Sequence, residues 1–148
     1  MSPDGVPILF AEDDEDDYFL AVDALREARL ANKIFHVHDG EELMDYLLNR
    51  GEYADKTAYP KPGFILLDLN MPRKDGREAL KEIKENPELR RIPVVVLTTS
   101  KSEQDIFTSY DLGVNSFINK PVSFEGLVDA MKILGKYWLE IVELPSES

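Results

Sequence analysis

Apolar residues occur along this chain in short continuous runs, and stretches with helical spacing lie between them. Each run has the length of a strand and ends at polar or turn-forming residues. The fourth is rich in β-branched residues, which is typical of parallel strands covered on both faces. The predicted strands are Val6–Ala11, Lys33–His38, Phe64–Asp68, Pro93–Leu97 and Asn115–Asn119.

Segments with helical periodicity follow each predicted strand. In the first, Phe19, Val22, Leu25 and Ala28 recur at three- and four-residue spacing, which indicates one apolar face. The second predicted helix begins after Asp39 as N-cap, with Glu42 three residues on, and the last begins after Ser123 as N-cap. The five predicted helices span 15–29, 40–50, 76–86, 102–112 and 124–137. Residues 51–62 show no clear period and are interpreted as a long ordered loop.

The alternation of strands and helices predicts a doubly wound α/β sandwich with parallel strands and right-handed crossovers. The 148 residues are expected to form one domain, with a core from about 6 to 137 and a short C-terminal extension over 138–148. No residues follow Ser148 to build an output domain, so a single-domain protein is expected.

Composition narrows the function classes. The net charge of −12 repels phosphate backbones and anionic lipid, so binding to nucleic acid or to a membrane is not expected. No apolar segment approaches the roughly 20 residues needed to span a bilayer. The chain has no cysteine, which excludes thiol chemistry and suits a reducing, cytoplasmic location.

Polar side chains gather where the predicted strands end. Parallel strands would bring Glu12 and Asp13, Asp68, Thr98 and Lys120 to one edge of the sheet, where ligands bind in open α/β folds. Three carboxylates so close together would repel one another strongly without a cation, and Mg²⁺ is the hard divalent ion expected. A threonine and a lysine opposite would form a pocket for a phosphoryl group.

This combination of motifs resembles the receiver domain of two-component response regulators, from Pro7 to about Tyr137. The matching motifs are Glu12-Asp13, Leu67-Asp68-Leu69-Asn70-Met71-Pro72 with Asp75-Gly76, Thr98 after Val94–Leu97, and Lys120-Pro121. The resemblance implies a flavodoxin-like sheet with strand order 2-1-3-4-5. It also implies a phosphorylation-controlled switch that is not an enzyme beyond phosphotransfer to, and hydrolysis from, its own aspartate.

The resemblance further assigns roles by position. Asp68 is expected to accept a phosphoryl group from a phosphohistidine of a sensor histidine kinase. Mg²⁺ would be held by Asp13 and Asp68, by the backbone carbonyl of Asn70, and by Glu12 through a water.

Three further residues have roles that only the resemblance implies. Thr98 and Lys120 would contact the phosphoryl oxygens, and Phe117 would turn inward as Thr98 moves. A cis Lys120–Pro121 bond is also expected.

The amino-acid sequences of residues 67–81, 91–100 and 137–140 resemble those of the small response regulators that serve cyanobacterial and other bacterial phytochromes. A phytochrome would then be the kinase. The apolar stretch over 138–144 either packs back onto its own domain or seals a homodimer through the fourth helix, fifth strand and fifth helix.

Other functions compete with the switch. A Mg²⁺-dependent phosphatase would also use an aspartate nucleophile, but Asn70 stands where such enzymes carry a second aspartate. An inert binding module would not need the complete acidic set. His36 and His38 share one strand face, and in the absence of a third ligand a structural role is favoured over a metal site.

Overall fold

A computed structural model of the chain describes residues 7–28, 32–69, 71, 76–98, 116–119 and 123–133, with the backbone alone at 98 and 116–119. Its strands are β1 (Ile8–Ala11), β2 (Ile34–Val37), β3 (Phe64–Asp68), β4 (Val94–Thr98) and β5 (Ser116–Asn119). Its helices are α1 (Glu15–Glu27), α2 (Gly40–Leu47), α3 (Gly76–Glu85), a 3₁₀ turn at Gly51–Tyr53 and a helix over 124–133.

The five strands form one sheet in the order β2-β1-β3-β4-β5, and every pair is parallel. Both the strand order and the parallel arrangement were predicted. At the centre, Ala11 is in register with Leu67 and Asp68 with Leu97. The carboxyl ends of all five strands therefore meet at one edge.

Two apolar layers cover the sheet, one on each face. Leu9, Ile65 and Val96 point into a core shared with α2 and α3. Phe10, Leu66 and Val95 point the other way, into a core shared with α1 and the helix over 124–133. Because successive strand residues face opposite sides, strands buried on both faces must be apolar throughout, as the sequence showed.

Side-chain caps fix where three helices begin. Asp14 accepts a hydrogen bond from the Asp17 N–H at 3.1 Å, and Asp39 accepts one from the Glu42 N–H at 2.8 Å. The Ser123 hydroxyl accepts one from the Gly126 N–H at 3.0 Å. The N-cap roles predicted for Asp39 and Ser123 are confirmed, since each satisfies a backbone donor that the helix itself leaves open.

The second helix is shorter than predicted. It ends at Leu47 rather than near Arg50, because Asn49 adopts a left-handed backbone conformation with φ of 53°. The Asn49 amide then donates to the carbonyls of Tyr53 and Tyr59 at 3.0 and 3.3 Å. These bonds hold the chain after α2 in the ordered loop that the sequence predicted.

Several predictions fall outside the described residues. These are the fourth helix over 102–112, the C-terminal extension over 138–148 and the Lys120–Pro121 bond. Within the described part of the chain, no helix is both long enough and apolar enough to cross a bilayer.

Candidate metal centre

Three carboxylates converge at the carboxyl edge of the sheet. One oxygen from each of Glu12, Asp13 and Asp68 lies within 4.8 Å of the others. Glu12 is fully buried and Asp68 is 2 % exposed, whereas Asp13 lies at the surface. The carboxylate cluster is therefore buried at Glu12 and Asp68 and reaches the surface at Asp13.

The parallel ladder between β1 and β3 explains this convergence. Since Ala11 pairs with Leu67, the residue after β1 and the last residue of β3 come to lie side by side. The Glu12 N–H still donates to the Val37 carbonyl at 3.0 Å, so the strand direction continues through Glu12. The Glu12 carboxylate then accepts from the Asp14 N–H at 3.2 Å, which orients it at the start of α1.

Gly76 packs against the backbone at the end of β3. A Cβ at this position would lie 2.6 Å from the Asp68 carbonyl oxygen and 2.7 Å from the Leu69 Cα. The Gly76 N–H also donates to the Leu69 carbonyl at 3.2 Å. The start of α3 therefore approaches the backbone of β3 so closely that only glycine fits without displacement.

Electrostatics favours a cation at this position. Two unit charges 4.8 Å apart repel by roughly 3 kcal/mol at an effective dielectric constant near 20. A divalent cation converts that repulsion into attraction, and carboxylate oxygens are the ligands of hard ions such as Mg²⁺, Mn²⁺ and Ca²⁺. The donor set thus fits a hard divalent cation.

His36 contacts this site through Glu12, although its position in the sequence predicted only a structural role. Its Nε2 lies 2.7 Å from the Glu12 carbonyl oxygen, and its ring stacks on Tyr18 with centroids 3.7 Å apart. Burial lowers the pKa of His36 and favours the neutral ring. Strand alternation in the sequence puts residues 36 and 38 on one face. It does not give the β1–β2 register, in which His36 pairs with Phe10.

Other predicted site residues are placed only through the backbone or lie outside the described residues. Asp68 pairs with Leu97 and Thr98 pairs with Asn119, so Thr98 and the residue before Lys120 stand at the same edge. Phe117 of β5 pairs with Val96 of β4. Asn70 and Lys120 themselves lie outside the described part of the chain.

Comparisons with known proteins agree with this geometry. Residues 8–132 match the model of the response regulator receiver domain. Response regulator Rcp1 of Synechocystis sp. is 43% identical over 139 residues, which are 94% of this chain and 92% of that protein.

Two solved structures are also similar. The phosphorylated cyanobacterial phytochrome response regulator RcpA shares 46% identity with a TM-score of 0.79, over 91% of this chain and 94% of that one. The Mn²⁺-bound form of Rcp1 shares 42% identity with a TM-score of 0.77, over 91% and 95%. Fold, acidic cluster and family match agree over the same residues, and the chain belongs to the response regulator receiver domain family.

Proposed function

We propose that this chain is a phosphorylation-controlled switch of a two-component system, with Asp68 as the residue that accepts the phosphoryl group. The observation that carries the proposal is the position of Asp68. It ends the central strand β3, is 2 % exposed, and has a carboxylate oxygen within 4.8 Å of those of Glu12 and Asp13.

In the proposed reaction a carboxylate oxygen of Asp68 attacks the phosphorus of a phosphohistidine on a sensor kinase. The P–N bond breaks as the new P–O bond forms, and the kinase imidazole leaves with the electron pair and regains its proton. Bound Mg²⁺ would supply positive charge to the phosphoryl oxygens and to the carboxylates. The limited exposure of Asp68 would slow hydrolysis of the acyl phosphate.

The remaining residues have supporting roles in this proposal. Asp13 and Asp68 would hold Mg²⁺ directly, Glu12 would hold it through a water, and Asn70 would contribute its backbone carbonyl. Thr98 and Lys120 bind the phosphoryl oxygens. The backbone register, which sets Thr98 beside Asn119 at the edge that Asp68 occupies, supports the last assignment.

The proposed output is a change of surface. Phe117 turns inward with Thr98, and the fourth predicted helix, β5, the last helix and the extension over 138–148 form a dimer or partner face. Phosphorylation would shift the population between two states of that face. The protein acts in the cytoplasm and catalyses only phosphotransfer to, and hydrolysis from, its own Asp68.

The proposed phosphodonor is a phytochrome with histidine kinase activity. The similarity to the phytochrome response regulator RcpA, at 46% identity over most of both chains, supports this choice. A Mg²⁺-dependent phosphatase is not favoured, because Asn70 stands where that class needs an acid.

Phosphotransfer from a phytochrome kinase carrying labelled phosphohistidine tests the proposal. Wild-type protein should take up label in Mg²⁺ and lose that ability in EDTA, and Asp68→Asn should take up none. Asp23→Asn is the matched control, because it makes the same chemical change at an exposed position of α1. Label on Asp68→Asn at the wild-type level would contradict the proposed acceptor.

Two further measurements separate the alternatives. Steady release of phosphate from small phosphate esters over many turnovers would favour the phosphatase. Sedimentation of phosphorylated and unphosphorylated protein tests the proposed dimer face. Monomers in both states would contradict a dimer that forms through that face.

A further inference from the structure

We propose that His36 is a positioning residue for the metal centre, which it serves by fixing the backbone of Glu12. The inference rests on the proposed function, since it concerns how the buried carboxylate is presented to the cation. His36 is not expected to touch the cation or the phosphoryl group.

The hydrogen bond is direct. The His36 Nε2 lies 2.7 Å from the Glu12 carbonyl oxygen, and a carbonyl can only accept, so the imidazole donates an Nε2–H. This bond acts just beyond the last paired residues of the β1–β2 ladder, Ala11 and Val37. The hydrogen bonding between β2 and the β1 segment therefore continues one peptide unit further, to Glu12, which carries the carboxylate.

Three other aromatic rings lie close to the His36 ring. Tyr18 of α1 lies parallel to it, with centroids 3.7 Å apart and planes 3° from parallel. Phe10 of β1 approaches at 6.5 Å and His38 at 4.2 Å. A donor whose ring is stacked loses little conformational entropy when it makes its hydrogen bond, so the geometry is suited to positioning.

Such support matters for Glu12 because its carboxylate is buried beside other carboxylates. It is fully buried, and it lies within 4.8 Å of two other carboxylates that repel it. The Glu12 N–H is bonded to the Val37 carbonyl and one carboxylate oxygen to the Asp14 N–H. With His36 on the carbonyl, the backbone of Glu12 is fixed at both of its polar groups, so its side chain leaves the strand in one direction.

Divalent-cation affinity is the readout that separates positioning from packing. His36→Phe keeps an aromatic ring for Tyr18 and removes the donor. Loss of an outer partner of a metal site lowers affinity by about tenfold or more, and we expect about a tenfold weaker Kd for Mn²⁺. The affinity is measured by calorimetric titration with Mn²⁺ alone, and the free energy of unfolding in EDTA is measured beside it.

Two further variants sharpen the test. His36→Gln restores a donor and His36→Met, of similar length, does not, so Gln should recover most of the affinity and Met should not. This pair also replaces His36→Phe should that variant fail to fold. The matched control is His38→Phe, the same change on the neighbouring histidine, which should bind Mn²⁺ within twofold of wild type.

The outcomes are distinguishable. Wild-type protein that binds no Mn²⁺ would overturn the proposed metal centre together with this inference. Wild-type binding with an unchanged Kd in His36→Phe, or equal losses in His36→Gln and His36→Met, would overturn the positioning role alone. A tenfold loss that Gln restores, at a similar free energy of unfolding, would establish it.

Discussion

Replacing Gly76 with alanine tests how the metal centre is held by the fold. The added Cβ would lie 2.6 Å from the Asp68 carbonyl oxygen and 2.7 Å from the Leu69 Cα, where 3.4 Å is ordinary contact. Both neighbours are backbone atoms that no rotamer change can move. The start of α3 or the end of β3 must therefore shift by about 0.8 Å.

Two opposing effects determine whether Gly76→Ala raises or lowers the free energy of unfolding. Alanine is favoured over glycine in a helix interior by about 1 kcal/mol, which is the upper limit for Gly76 as the first residue of α3. Propensity alone therefore predicts a stabilisation of at most that size. Overpacking against backbone typically costs about 1–3 kcal/mol. We expect a net loss of about 1 kcal/mol in the free energy of unfolding, measured by urea denaturation in EDTA.

The effect on function should be larger than the effect on stability. A displacement near 1 Å at a reacting group can cost up to about 100-fold in rate. Because the end of β3 carries the Asp68 side chain, a shift of that backbone would move the acceptor carboxylate. We therefore expect at least about a tenfold slower phosphorylation by a small phosphodonor in Mg²⁺.

Gly51→Ala is the matched control. Gly51 has φ of +58° and nothing within 4 Å of an added Cβ, so alanine strains only the local backbone, by roughly 1–2 kcal/mol. It should lose similar stability and keep the phosphorylation rate. If Gly76→Ala were phosphorylated as fast as Gly51→Ala, the close approach of α3 to β3 would have no role in positioning Asp68.

Three other predictions follow from the described contacts. Asp13→Asn should raise the free energy of unfolding in EDTA by about 1 kcal/mol through relief of repulsion, and should weaken Mn²⁺ binding in titration. Burial alone would raise the pKa of Glu42, but hydrogen bonds from Tyr53 and His38 lower it below the ordinary 4.5. The stabilisation of the folded state by the ionised Glu42 carboxylate is therefore present above pH 4.5 and lost as the pH falls below it. The difference in the free energy of unfolding between wild type and Tyr53→Phe, measured in urea, should therefore become smaller in acid. Burial raises the pKa of Tyr46 from 10.0 to about 12, with a smaller contribution from Tyr59. Stability should therefore fall as the pH rises from 10 towards 12, less so in Tyr46→Phe, and absorbance of tyrosinate should report the transition.

Much of the fold and of the acidic cluster could be predicted because both follow from periodicity. Strands buried on both faces must be apolar throughout, and Asp68 was conspicuous as a carboxylate at the end of such a run. Glu12 and Asp13 followed from the same rule at the end of β1. The family resemblance supplied the strand order, which periodicity alone does not determine.

What the sequence missed depends on contacts between distant residues. The early end of α2 follows from the left-handed Asn49, whose side chain bonds to carbonyls four and ten residues away. The bond from His36 to Glu12 spans 24 residues and needs the β1–β2 register to be known. Local patterns contain neither piece of information.

The long connection between α2 and β3 is part of the core. Its Tyr53 and Tyr59 rings lie 4.8 Å apart, and each packs against Tyr46 of α2, at 5.3 and 5.8 Å. The Tyr46 hydroxyl in turn donates to the Pro60 carbonyl at 2.9 Å. Shortening this connection would remove the two tyrosine rings that cover α2 and would expose Tyr46 to water. With a shorter link, different side chains would have to cover that flank of the sheet, so a graft of α2 into another receiver domain would have to carry the helix and the connection together.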